Sequence, residues 1–128
     1  MEIKMKSLLK YFILLALLLT VSTYSQKDKP IVTFVELGSV NCIPCKQMQP
    51  IMKSIEEKYG SQIKVIFYDV WKEDQKKYAE QYDISLIPTQ VFLDSKGKEF
   101  FRHEGFYPEK EIDKLLTKKG LKPLKKKK

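Results

Sequence analysis

Cysteine and histidine are scarce in this sequence, with two of the first and one of the second in 128 residues. Two cysteines cannot make a disulfide framework. With His103 as the single histidine they cannot complete a four-ligand zinc site either, so no metal is expected. Haem attachment would require histidine directly after the second cysteine, where Lys46 stands. Long apolar runs are also lacking. The longest, Tyr11 to Val21 broken only by Thr20, is about half of the roughly 20 residues a membrane-spanning helix needs. No cysteine follows that run, which excludes a bacterial lipid anchor. Internal repeats and interdomain linkers are absent, and the length allows one small domain.

What is abundant is lysine, and the net charge is +8. Its distribution argues against a nucleic-acid site. Lysines occupy the N-terminus, alternate with acidic residues through the middle, and end in Lys125-Lys126-Lys127-Lys128. Residues 121–128 are expected to be a basic, disordered tail, with weak attraction to acidic lipids as its functional alternative. At the other end, Lys4, Lys6 and Lys10 precede the apolar run, and Thr23 and Ser25 follow it as small residues before Gln26. This is the pattern of an export signal over residues 1–25, cleaved or retained as an anchor, and the location expected is the periplasm or the outer face of a membrane.

The two cysteines lie three residues apart, in Cys42-Ile43-Pro44-Cys45. A structural disulfide stabilises chiefly by closing a loop in the unfolded chain, and so short a loop contributes little. The spacing suits chemistry better, because disulfide exchange needs an attacking thiolate and a second thiol that resolves the mixed disulfide.

From residue 26 the pattern reads β-α-β-α-β-β-α. Ile31–Leu37 is a buried-type strand ended by Gly38, and Ile43–Tyr59 has helical apolar spacing through Met48, Ile51, Met52 and Ile55. Pro50 falls inside that helix and Gly60 stops it. Ile63–Val70 is a second strand and Lys72–Tyr82 a short polar helix. Thr89–Leu93 and Lys98–His103 form a hairpin around Asp94-Ser95-Lys96-Gly97. Pro108 opens a last helix that ends at Gly120. Two buried-type strands joined through a helix imply a right-handed parallel crossover. The expected fold is α/β, a mixed four-stranded sheet flanked by helices over residues 26–120. Cys42 is expected at the C-terminal end of the first strand, the usual place for a site. There the helix N-terminus would favour a Cys42 thiolate as exposed nucleophile, with Cys45 buried one turn in as resolver. Pro44 fits the first turn.

From about Ile31 to Leu116 the chain resembles the thioredoxin family. Beyond the two cysteines, Pro50 sits five residues after Cys45, where that family bends its helix. Ile87-Pro88 matches the family's cis-proline loop, which faces the dithiol and docks client backbone. Glu36, six before Cys42, matches a buried acid that relays a proton to and from the resolving cysteine. Gly105 falls where the family keeps a glycine beside the groove. The resemblance implies a thioredoxin-like fold with a minimal N-terminus and thiol–disulfide oxidoreductase activity. It implies Cys42, Cys45 and Glu36 as catalytic and Ile43, Pro44, Ile87, Pro88 and Gly105 as client-binding residues, with no cofactor beyond the Cys42–Cys45 disulfide.

Each match has a plainer reading: Glu36 exposed at a strand end, Pro88 an ordinary trans turn proline, Gly105 only a turn residue. His103 reads as a solvated strand residue, and Trp71 has no assignment. There are departures too. Gly38 and Asn41 stand where the family commonly has tryptophan, Val65 stands near the place of a lysine that often accompanies the acid, and Trp71-Lys72-Glu73-Asp74 lengthens a connection. Ile43-Pro44 offers no histidine or charged donor to a thiolate, which favours a reductant. Expected partners are protein disulfide or dithiol clients, apocytochromes c among them, and a membrane electron-relay protein. Nucleic acid is not expected, and the chain is expected to be monomeric. An oxidase or isomerase is the alternative enzyme, and a non-catalytic peptide-binding module the alternative outside enzymes.

Overall fold

A computed structural model describes residues 2–18 and 29–125. The cleavage positions Thr23, Ser25 and Gln26, and the lysines 126–128, lie outside the described residues. Glu2–Leu18 forms helix α1. Among the described residues, no helix is long and apolar enough to cross a membrane.

The remaining elements are β1 (Val32–Gly38), α2 (Ile43–Tyr59), a single 3-10 turn (Gly60–Gln62) and β2 (Ile63–Asp69). There follow α3 (Lys77–Gln81), β3 (Thr89–Asp94), β4 (Glu99–Glu104) and α4 (Glu109–Lys118). The strand order is β2-β1-β3-β4, with β1 parallel to β2 and antiparallel to β3, and β4 antiparallel to β3. This is the expected mixed sheet.

Strand β1 is apolar at nearly every position because both its faces are covered. Val32 and Phe34 point into one core layer with Phe92 of β3, Met48, Met52, Ile55 and Tyr59 of α2, and Ile112 and Leu116 of α4. Val35 and Leu37 point the other way, to Val91 and Val70 and to the half-buried Tyr68, Tyr78 and Tyr82 around α3. Alternation along β1 therefore places even-numbered residues, Glu36 and Gly38 included, on the α2 face.

Helix α2 is held along its length. Proline 50 removes one internal N–H, yet the helix runs unbroken past it. Near its C-terminal end Lys58 Nζ lies 2.7 Å from both Glu109 Oε1 and Asp113 Oδ2 of α4. The Tyr59 hydroxyl donates to Asp113 Oδ1 at 2.8 Å. These pairs are partly exposed, so they set the angle between the two helices more than they add stability.

Two boundaries differ from the sequence reading. The helix expected over Lys72–Tyr82 is confined to Lys77–Gln81, because residues 70–76 are taken up in turns. Gln75 Oε1 accepts the Asp69 N–H at 2.8 Å while the Gln75 N–H donates to the Lys72 carbonyl, and this side-chain bond ties the start of the segment back to β2. The tail expected from residue 121 also needs correcting. Leu121 is buried in the main core, Gln62 exchanges two hydrogen bonds with the Lys122 backbone, and the Leu124 N–H donates to the Lys58 carbonyl at 2.8 Å. Charge alone suggested disorder there, but two leucines between the lysines give the strap an apolar side.

Phe92 stacks on Phe34 with centroids 4.7 Å apart and meets Phe100, Phe101 and Tyr107 at its edges. Phe92→Ala is expected to cost about 3–5 kcal/mol, read as a fall in the midpoint of chemical denaturation.

Candidate functional site

Strand β1 delivers the chain to the sheet end where the cysteines lie. Cys42 is the N-cap of α2, with extended backbone at φ −96° and ψ 126°. It is joined to Cys45 by a disulfide, with Cα atoms 5.2 Å apart. The Cys42 Sγ also accepts the Cys45 N–H at 3.4 Å, so an otherwise unpaired N–H of the first helical turn points at the sulfur that would carry charge on reduction. Cys45 is fully buried. Cys42, expected to be exposed, keeps only 8% of its surface accessible, since the N-cap position tucks its sulfur against the first turn. Ile43 and Pro44 are exposed beside it, and Pro44 falls within the first helical turn as expected.

The close seating of Cys45 depends on Gly38. A Cβ at position 38 would lie 3.1 Å from Cys45 Sγ, 3.2 Å from Cys45 Cβ and 3.4 Å from a ring carbon of Phe67. The sequence marked Gly38 as a departure from a bulkier residue without showing what the space is used for. The Cys45 side chain packs against it.

The loop between β1 and α2 is fixed by two buried polar side chains that the sequence reading missed. Ser39 Oγ accepts the Asn41 N–H at 3.2 Å, and the Ser39 carbonyl accepts the Cys42 N–H at 3.2 Å. Asp69, at the end of β2, accepts the Val40 N–H on Oδ2 at 3.3 Å and the Trp71 N–H on Oδ1 at 3.1 Å. One carboxylate thus joins the loop before Cys42 to the loop that carries Trp71. An acidic residue at a strand end carries no signal of this in sequence, because its two partners are backbone groups from different loops.

The Ile87–Pro88 peptide bond is cis. Leu37 pairs with Thr89, so the next step of the register sets Pro88 opposite Gly38, at the cysteine end of the sheet. Pro88 is buried and Ile87 half-buried. The Pro88 carbonyl accepts the Gly105 N–H at 2.7 Å. Gly105 has φ +88°, a backbone region that disfavours side chains, so it turns the chain after β4 and anchors the proline loop at once. Arg102 of β4 holds the loop's other end, donating to the Tyr82 and Asp83 carbonyls at 2.8 and 3.2 Å. His103 is not simply solvated: its ring stacks on Tyr107 at 4.2 Å and its Nε2 lies 3.1 Å from the Phe106 carbonyl.

Glu36 is fully buried, on the same face of β1 as Gly38 and two residues before it. Gln90, its partner across the β1–β3 pair, is also fully buried and donates from Nε2 to Glu36 Oε1 at 3.2 Å. Burial pushes the Glu36 carboxyl up to about 8 from its ordinary value of 4.5, and the Gln90 hydrogen bond opposes part of the rise. The exposed strand-end reading of Glu36 does not hold.

Val40, Ile43, Trp71, Leu86 and Phe106 are each between 42% and 73% exposed. They stand on the loops that follow β1, β2 and β4, on the loop before β3 and on the first residue of α2, all at the cysteine end of the sheet. An apolar rim of exposed side chains therefore marks the dithiol end of the sheet. Trp71, which the sequence left without an assignment, is 62% exposed there.

Comparison with known proteins agrees with this arrangement. A family profile described as a thioredoxin-like domain matches residues 19–120. The chain is similar to the chloroplastic thioredoxin Y of Oryza sativa subsp. japonica, 32% identical over 90 residues. That match covers 68% of this chain and 49% of the rice protein, about half its length. It is 24% identical to the thioredoxin of Bacillus subtilis over 99 residues, covering 77% of this chain and 92% of the other. Among solved structures, the germline-specific thioredoxin Deadhead of Drosophila melanogaster superposes with a TM-score of 0.62 at 27% identity, over 72% of this chain and 83% of that one.

Two outcomes follow from this geometry. In Gly38→Ala the new methyl group meets the Cys45 sulfur, and a loss of about 1–3 kcal/mol in denaturant stability is expected, with the disulfide easier to reduce. For Glu36, the folded protein retains a proton that the unfolded chain releases once pH exceeds the ordinary carboxylate value. Stability should therefore fall as pH rises from about 4.5 towards about 8, by at most roughly 1.4 kcal/mol per unit, and then level off. Glu36→Gln should remove that slope in urea titrations across the same range.

Proposed function

The chain belongs to the thioredoxin family and is a thiol–disulfide oxidoreductase by its Cys42–Cys45 pair, and from there we propose that it works outside the cytoplasm as a reductant of protein disulfides. The observation that carries the direction is the pair of residues between the cysteines. Ile43-Pro44 brings no histidine or charged donor to the Cys42 sulfur, so the reduced form gains little beyond the helix N-terminus and remains willing to give up its electrons.

In the reduced protein the Cys42 thiolate attacks one sulfur of a client disulfide. The client S–S bond breaks, a Cys42–client bond forms, and the other client sulfur leaves as a thiolate that takes a proton from solvent. Cys45 then loses its proton and attacks the Cys42 sulfur, which closes the Cys42–Cys45 bond and expels the second client thiolate. Two electrons have passed to the client. Glu36 is the group proposed to take the Cys45 proton, since a carboxyl poised at about 8 is populated in both forms near neutral pH.

The apolar rim of Val40, Ile43, Trp71, Leu86 and Phe106 suits an extended client segment with apolar side chains next to its disulfide. Ile87, Pro88 and Gly105 border the same end and would guide the client backbone. Lys4, Lys6 and Lys10 ahead of the apolar run, with Thr23 and Ser25 after it, support export of the domain. An exported reductant needs electrons from a membrane relay protein.

The reduction potential of residues 26–128 against a dithiothreitol or glutathione series tests the direction. A value near about −270 mV is expected, and one near about −120 mV would instead make the protein an oxidase or isomerase. Cys42→Ser should abolish insulin disulfide reduction. Retained reduction in that variant would remove Cys42 from its role.

A further inference from the structure

Two buried side-chain oxygens lack a hydrogen-bond partner among the described residues, Glu36 Oε2 and Gln90 Oε1. They belong to the same pair of side chains, whose other atoms already meet as Gln90 Nε2 donating to Glu36 Oε1 at 3.2 Å. The residues are register partners on adjacent strands and both are fully buried, so neither oxygen can turn to bulk water for its partner. An unpaired buried acceptor loses its hydration with nothing in return, and two in one contact compound that cost.

A single proton resolves both vacancies. If Glu36 carries it on Oε2, that oxygen becomes a donor and the unpartnered Gln90 Oε1, on the side chain it already meets, can accept it, while Gln90 Nε2 continues to donate to Oε1. We propose that, in the disulfide form, Glu36 and Gln90 make this reciprocal acid–amide pair, with Gln90 as the positioning residue that stores the Glu36 proton. The proposal rests on the dithiol reading and names a residue that neither the cysteine motif nor the resemblance assigns.

The surroundings suit a stored proton. Beside Glu36, β2 contributes Phe67, and α2 presents Cys45 and Met48 to this face of the sheet. Beyond Gln90, β4 contributes His103. No charged side chain shifts the Glu36 carboxyl, and burial is opposed by Gln90 alone. Of the groups just named, Cys45, once reduced, and His103 can exchange a proton, and Cys45 is the one engaged in disulfide chemistry. When the disulfide is reduced, the Cys45 thiolate can draw the proton from Glu36. Gln90 Nε2 then still donates to the carboxylate that remains. When Cys45 next attacks, the proton returns and the pair reforms, so protons balance over the cycle.

The test is infrared spectroscopy of the oxidised protein at about pH 6, where the carbonyl stretch of a protonated carboxyl is separate from carboxylate bands. A protonated-acid band is expected in the wild type and its loss in Glu36→Gln. In Gln90→Met the band should move to higher frequency, because the carbonyl has lost its Nε2 donor and the O–H its acceptor. No such band in the wild type, or an unshifted band in Gln90→Met, would overturn the pair. If Gln90→Met does not fold, NMR of the wild type decides: the Gln90 side-chain amide should titrate together with the Glu36 carboxyl carbon, and independent behaviour overturns the proposal. These spectra do not depend on the direction of electron flow or on export. Failure of the pair would in turn leave insulin reduction by Cys42 intact.

Discussion

With no side chain at position 38, the Cys45 sulfur packs so close that a Cβ there would lie only 3.1 Å from it, and the first turn of α2 rests against the end of β1. The rest of the site follows from that contact. It fixes the depth of Cys45 and brings the N-cap, Cys42, to the surface by the few atoms that remain accessible. It also aligns the buried carboxyl of Glu36, two residues earlier on the same face, beneath the dithiol end of the sheet. Packing interiors tolerate little slack, so a methyl group added here would be felt by the sulfur.

Around this contact the loops are tied by polar groups that face inward. Asp69 holds the backbone on either side of the opening between β1 and β2, and Gly105 and Arg102 hold the proline loop from β4. The result is a rigid frame with exposed apolar side chains along its edge. Such a division suits an exchange catalyst. The sulfur geometry must stay constant, whereas the client segment varies, and apolar contacts are indifferent to sequence detail in a way that hydrogen bonds are not.

Most of the frame was legible from residue patterns. The apolar run 31–37, the helical spacing from Ile43 to Tyr59 and the hairpin around Asp94-Ser95-Lys96-Gly97 fall where the strands and helix were expected, within a residue or two. What was not legible depends on contacts between distant parts of the chain. The strap at Leu121–Leu124 looks like a charged tail until Leu121 enters the core and its backbone finds Gln62 and Lys58. The expected helix from Lys72 loses its first half because Gln75 bonds back to Asp69, a choice no local propensity announces. At the site, the cysteine pair could be read from spacing and Glu36 from the family resemblance. Ser39, Asp69 and Gln90 could not, because their importance lies in which partner each meets across the fold.

Trp71 is the single tryptophan of the sequence, and it is largely exposed on a loop whose backbone shares the Asp69 carboxylate with the segment leading to Cys42. The chain thereby carries its own optical reporter at the rim of the dithiol. Its emission comes from one position alone, so changes in colour or quenching would follow a client settling on that edge, or the loop shifting as the sulfurs change state, in real time and without a label.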